Sequence, residues 1–248
     1  MPNPHLQNIQ AKLHFLSSEA KAASARRYFP AGVNCLGVTA KDITQVIADF
    51  KREQPSLTPD EMLALTEEFL KQATYSEEVL VAFALIQPLV KKHYDEDLLL
   101  RFHYWLEHYA SNWSHVDDLC IKTAYNFLLS RPHLIRKTQY WSDSSSPWCR
   151  RASNVVWVKF INRKIGKTVY QLDIGLVFEN TDKLLADPDP FVQKSIGWLL
   201  KATSVQHPQA VLDYLSINHQ AMPRSTLRYA LEKVNTEQRK QFLAMANR

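Results

Sequence analysis

The stretch VDDLCIKTAYNFL, residues 116–128, decides the fold class. Its apolar positions, Val116, Leu119, Cys120, Thr123, Ala124, Phe127 and Leu128, fall at i, i+3, i+4, i+7, i+8, i+11 and i+12. That is the spacing of an amphipathic helix with one buried stripe. Outward from it the same period continues in both directions. Thr58-Pro59-Asp60-Glu61 reads as an N-cap followed by Pro in the first helical position and acids in the first turn, and Ser76-Glu77-Glu78 opens another helix in a similar way. Pro132, Pro147, Pro188, Pro190, Pro208 and Pro223 stand at the junctions. The pattern predicts helices over 4–17, 18–29, 40–53, 59–73, 76–92, 96–110, 114–130, 132–141, 147–165, 172–186, 190–204, 208–218 and 223–234, and no strand.

The helices pair with a loose period. Three successive second helices open with Trp148-Cys-Arg-Arg151-Ala, Phe191-Val-Gln-Lys194-Ser and Ser225-Thr-Leu-Arg228-Tyr, placing a cation at 151, 194 and 228, at intervals of 43 and 34 residues. This suits an all-α fold, an α-solenoid of HEAT-like helix pairs whose second helices line a concave, positively charged wall. No linker interrupts the pattern, so residues 1–248 are expected to form a single domain.

Composition removes several function classes. The five glycines, at 32, 37, 166, 175 and 197, are too scattered for a phosphate-cradling loop or a dinucleotide fingerprint. Cys35, Cys120 and Cys149 have neither even number nor C-x-x-C spacing, which reads as reduced, buried thiols. His103, His108, His115, Asp117 and Asp118 crowd a short stretch, but no two of these histidines lie three or four apart as ligands on one helix face would. No metal is expected, and no cofactor. Neither a signal peptide nor a membrane span is read, so the expected location is the cytoplasm, or the nucleoid in a bacterium. Residues 1–130 carry 12 basic and 16 acidic side chains, whereas residues 131–248 carry 18 and 9. The stretch 144–167, with Arg150, Arg151, Lys159, Arg163, Lys164 and Lys167 and no carboxylate, suits a polyanion backbone, although a solvated face is the plainer reading.

Two places carry chemistry. Trp113 and Asp117 are four apart, on a face that borders the apolar stripe, so Asp117 is expected to be half buried and to need a partner. Arg151, on a helix apolar around most of its circumference, is the natural candidate, with a purely structural salt bridge as the alternative. In the helix 190–204 the stripe Val192, Ile196, Leu199, Leu200 and Thr203 leaves Trp198 roughly 150° away. Its indole shares that side with Lys194 and Lys201, a mixture suited to sugars, bases and phosphates, unless the tryptophan fills a gap between repeats.

The phrases Arg27-Tyr28 with Leu36-Gly37-Val38 downstream, Trp113-x-x-x-Asp117, Trp148-x-x-Arg151-Ala152 and Val192-Gln-Lys-Ser-Ile-Gly-Trp198 occur together and in this order. In this the chain resembles, over about residues 20–235, the AlkD-type alkylpurine DNA glycosylases of the DNA alkylation repair family, built from HEAT-like repeats. The resemblance implies Asp117 as catalytic carboxylate, Arg151 as its partner, and Trp113, Trp198 and Tyr28 as the aromatic wall around a damaged nucleotide. Lys194, Lys201 and Arg228 become phosphate or backbone contacts. It also implies a monofunctional, cofactor-free hydrolase, expected to be a monomer, acting on duplex DNA that contains 3-methyladenine or 7-methylguanine. A non-catalytic helical-repeat protein that binds branched or distorted DNA, or a protein partner, is the rival reading. The chain departs from the family pattern at Thr39-Ala-Lys41-Asp-Ile43, at Ser114-His115 and at 159–167, which reads as an insertion.

Overall fold

Side-chain caps set many of the helix starts, as the signal at Thr58 predicts, whereas Ser76 is the first helical residue behind Tyr75 and caps nothing with its side chain. Thr58 and Glu61 form a reciprocal capping box, with the Thr58 N–H donating to Glu61 Oε2 at 2.8 Å and Glu61 N–H to Thr58 Oγ1 at 3.3 Å. Thr39 and Asp42 repeat it, and Asn3, Ser18, Asn112, Asp173 and Asp189 cap other helices with single side chains. The computed structural model describes residues 3–245. It is all-α apart from one hairpin, and its residues cluster into two compact units, 1–127 and 128–248.

The first unit holds α1 (Pro4–Phe15), α2 (Glu19–Arg26), α3 (Ala40–Glu53), α4 (Pro59–Gln72), α5 (Ser76–Ile86), α6 (Leu98–His108) and α7 (Trp113–Asp118). A π-helical turn, Leu119–Thr123, links α7 to α8 (Ala124–Leu129), where the first unit ends. Helix α5 is the centre: α4 packs along it, and α3 and α7 lie against it. It is nearly all apolar, with Val79, Val81, Ala82, Phe83, Leu85 and Ile86 buried, as a helix covered on several sides must be. Phe50, Phe69, Phe102 and Trp105 complete the core.

In the second unit, two 3₁₀ segments, Pro132–Leu134 and Arg136–Asp143, precede α9 (Pro147–Val155). Then come strands β1 (Asn162–Ile165) and β2 (Thr168–Gln171), and α10 (Ile174–Leu184), α11 (Pro190–Ser204), α12 (Pro208–Asn218), α13 (Arg224–Ala230) and α14 (Thr236–Met245). Helices α9, α11 and α13 are the three that open with the repeated cation phrases, and α11 packs between the other two. The stripe Val192, Ile196, Leu199, Leu200 and Thr203 is buried. Gly197 permits the α11–α13 approach, since a Cβ there would stand 3.0 Å from Thr226 O and from Tyr229 Cβ.

Tertiary structure corrects several boundaries. The helix expected over 147–165 stops at Val155, and the chain turns back as an antiparallel hairpin in which Arg163 pairs with Tyr170 and Lys164 with Val169. Gly166, at φ +61°, opens its two-residue turn, and β-branched Ile165, Thr168 and Val169 flank it. The expectation of no strand is therefore overturned. The span 132–141 is 3₁₀ rather than α-helical, the helix over 76–92 ends at Ile86, and α14 was not expected.

Two glycines in the α2–α3 connection allow a comparison. Gly37 has φ +76°, and a Cβ there would stand 2.2 Å from Ser18 O and 2.6 Å from Ala22 N, whereas Gly32, at φ +84°, has open space around it. Both substitutions to Ala meet left-handed strain, on the order of 1 kcal/mol. Only Gly37→Ala also forces backbone apart. In urea unfolding, Gly37→Ala is expected to cost at least ~2 kcal/mol more than Gly32→Ala; equal losses would mean that the α2–α3 connection yields freely.

Candidate functional site

Asp117 lies in the first helical turns of α7, half-buried, and Trp113 occupies the first position of the same helix. Asn112 holds this end in place: its Oδ1 accepts the N–H of Ser114 at 3.0 Å and of His115 at 3.2 Å. The indole of Trp113 stacks on Phe29, with ring centroids 5.3 Å apart and planes 14° from parallel. Its Nε1–H donates to the carbonyl of Tyr28 at 3.2 Å. Tyr28 itself is 70% exposed. The backbone around residue 28 and the start of α7 thus meet at one place, with Phe29, Trp113, Tyr28 and Asp117 belonging to the same unit. Phe29 was missed by sequence reasoning, because a lone aromatic after a short helix carries no periodic signal.

His115 fixes the other side of this turn. It is buried, and its Nδ1 accepts from the Ser111 N–H at 3.3 Å. The ring proton is therefore assigned to Nε2, which lies 2.8 Å from Ser76 Oγ and 3.1 Å from the Ser76 carbonyl. Ser76 opens α5, and its N–H donates to Asn34 O at 2.8 Å. Next to it, buried Glu77 accepts three backbone N–H groups, from Leu36 at 3.0 Å, Gly37 at 2.8 Å and Val38 at 3.2 Å. Glu78 accepts from the Thr74 and Tyr75 N–H groups and from Gln10 Nε2. Glu77 and Glu78, read from the sequence as acids of a first helical turn, are also internal anchors.

Asp118 points to a different environment from Asp117. Burial pushes its carboxyl above the usual range, opposed by its ion pair with Lys122. Together with Lys51 and Lys91 they edge a groove of about 660 Å³ whose apolar lining comes from Ile43, Ile47 and Ala48 of α3 and Leu80 and Ala84 of α5. Lys51 is held below the ordinary lysine range by burial.

The second unit carries the remaining residues. Arg151 is buried and its Nη1 donates to Phe191 O at 2.7 Å. Trp198 is half-buried on a helix whose other large side chains are mostly sealed in, and near the start of that helix the Trp148 ring lies 5.6 Å from Phe191. Lys194 is exposed, its Nζ 6.0 Å from the centre of the Phe191 ring, and Arg228 is exposed. Lys201 is engaged within the protein: it pairs with Glu232 and sits 4.4 Å from the Tyr229 ring centre.

His115 supplies a prediction. Burial lowers its pKa from 6.5 to about 4, so between these values the unfolded chain binds a proton that the folded chain does not. Its contribution is fully present above pH 6.5 and is lost as pH falls toward 4, a change on the order of 3 kcal/mol. His115→Gln cannot titrate, so urea unfolding of the variant and the parent at pH 4–7 is expected to diverge by this pH-dependent amount. Parallel curves would place the ring in a solvated setting.

A family model described as DNA alkylation repair enzyme matches residues 9–234. Among solved structures, a predicted DNA alkylation repair enzyme from Enterococcus faecalis superposes with TM-score 0.74 at 17% identity, covering 89% of this chain and 97% of that one. The protein smu.31 from Streptococcus mutans UA159 gives TM-score 0.53 at 18% identity, covering 84% and 97%. The Pseudomonas fluorescens alkylpurine DNA glycosylase AlkC, bound to DNA containing an abasic site analog, gives 0.53 at 17% identity, covering 96% of this chain and 65% of that one. No curated protein sequence matches significantly. These likenesses support the all-α helical-repeat fold, and the family match covers the residues just described, from Tyr28 to Arg228: the chain belongs to the DNA alkylation repair enzyme family.

Proposed function

We propose that this protein is a monofunctional glycosylase that hydrolyses the N-glycosidic bond of cationic alkylpurines, such as 3-methyladenine and 7-methylguanine, in duplex DNA. The observation that carries the reading is the fixed turn at the start of α7, where half-buried Asp117 follows an indole held by Phe29 and by the Tyr28 carbonyl. An N3- or N7-alkylated purine already bears positive charge, so no general acid is needed to make it leave. The C1′–N bond breaks with its electron pair departing on the base, which becomes neutral, and positive charge develops on the deoxyribose. Asp117 stabilises that oxocarbenium-like state and orients water toward C1′; the water's oxygen bonds to C1′ and its proton passes to the carboxylate or to solvent. The indole of Trp113 favours the cationic sugar and base through its π face.

Arg151 and Trp198 enter by the helical pattern of the sequence and by the family resemblance, the first as the cation that partners the carboxylate and the second as a further aromatic wall. Tyr28, Lys194 and Arg228 are exposed and suited to contact DNA. Lys201 takes a phosphate only by giving up Glu232. The lysine-edged groove beside Asp118 offers the first unit a cationic track of its own, since Lys51, Lys91 and Lys122 answer one carboxylate.

The test is incubation with methylated duplex DNA and measurement of free 3-methyladenine and 7-methylguanine. Release of either base, with an abasic site left behind, is expected. Asp117→Asn is expected to lower excision by at least about tenfold with DNA affinity little changed or improved. No release of either base by the parent protein would leave a non-catalytic DNA-binding module, and undiminished release by the variant would remove Asp117 from the chemistry.

A further inference from the structure

The carboxylate-free stretch 144–167 is divided by the fold into two uses. Its first cations are internal: Arg150 binds Asp187 through Nε at 2.5 Å and the carbonyls of Ser144 and Ser145 through Nη1, and Arg151 donates to Phe191 O. Exposed Lys159 follows α9, and Arg163, Lys164 and Lys167 belong to the β1–β2 hairpin, none of whose strand residues is buried.

An isolated two-stranded hairpin is marginal in water, so its anchors define its orientation. Tyr170 packs edge-on against buried Phe160, with ring centroids 6.0 Å apart. The Leu172 N–H donates to Phe160 O at 3.2 Å, and Asn162 Nδ2 donates to Gln206 Oε1 at 2.9 Å. Side chains alternate across a strand pair. Arg163, Ile165 and Tyr170 therefore share one face, on which Ile165 and Tyr170 are partly covered, while Lys164 and Val169 share the outward face with Asn162, which meets Gln206 at the base of the hairpin; Lys164 is exposed and Val169 is 56% exposed. Lys167 stands in the turn beside Gly166. No acidic residue occurs from 144 to 172, so no carboxylate within that stretch neutralises the outward face.

We propose that the outward face of this hairpin, through Lys164 and Lys167, binds the phosphodiester backbone of duplex DNA. The proposal rests on the reading of the protein as a DNA-binding enzyme and adds a surface which the excision chemistry does not use. A two-stranded ribbon has the width to lie in or along a groove of B-form DNA. Lysines on flexible stems bind phosphates as point charges without demanding one base sequence. Val169 between them suits contact with sugar edges; the outward face holds no aromatic that would seat it in a lipid interface.

The experiment compares the parent protein, the Lys164→Ala/Lys167→Ala double variant and a charge-matched control, Lys233→Ala/Lys240→Ala, whose lysines are exposed elsewhere in the second unit. Affinity for an undamaged duplex is measured as a function of salt, and excision is measured separately on methylated duplex. Two lost phosphate contacts predict a salt slope shallower by about 2 and a roughly tenfold weaker complex near 0.1 M salt, with the control close to the parent. An unchanged slope, an equal loss in the control, or a parent that binds no DNA overturns the proposal. If the parent excises neither base yet the hairpin variant alone loses salt-sensitive affinity, the glycosylase reading fails and the hairpin contact stands.

Discussion

The first turn of α5 holds three segments of the first unit together, and the geometry around Asp117 depends on it. Ser76 receives the His115 ring, Glu77 collects the N–H groups of residues 36–38, and Glu78 closes the turn behind Thr74. Hydrogen bonds to an ionised acceptor contribute roughly 1.5–3 kcal/mol each when buried. A carboxylate surrounded by backbone donors is also directional in a way that apolar packing is not. Gly37 completes the constraint, because only a residue without a side chain passes so close to Ser18 O. From this point the chain reaches back to Phe29 and forward to Trp113, which explains how a short connection and a helix start come to share one aromatic stack.

The six tryptophans divide by what surrounds them. Trp105, Trp141 and Trp157 are sealed in the cores, and Trp157 donates its indole N–H to Ile135 O at 2.9 Å. Trp113, Trp148 and Trp198 are half-buried. Large aromatics left partly open at helix starts and on helix faces cost apolar burial that a purely structural residue would recover. The resemblance singled out these same three positions, in the phrases that carry them. Wheel geometry alone isolated Trp198, since its angle to the stripe follows from 100° per residue, whereas the Trp113 stack on Phe29 needed residues 84 apart to meet.

Charge divides in the same way. Counting cations in the second half of the sequence suggested one polyanion surface, but the fold spends Arg150 on Asp187, Lys183 on Asp143 and Lys201 on Glu232. Lys164, Lys167, Lys194 and Arg228 are among the cations that stay exposed. A run of like charge in a sequence therefore overstates the field that a folded surface presents, because ion pairs form between residues whose separation in sequence, 31 to 40 positions here, is invisible to local reading.

The sequence by itself determined the helical period, the cap at Thr58, the half-buried setting of Asp117 and the displacement of Trp198 from the buried stripe. All of these are local, since spacing, cap chemistry and composition act within a few turns. Only the tertiary structure decided that 162–171 pairs as a hairpin, that α7 runs into a π-turn after Asp118, and that Glu77 and His115 face inward as anchors. Each of these turns on partners tens of residues away. A β-branched segment around one glycine is nearly neutral between helix and strand until Phe160 offers Tyr170 a surface, and an acid in a first helical turn is equally at home in solvent until three backbone N–H groups are brought to it.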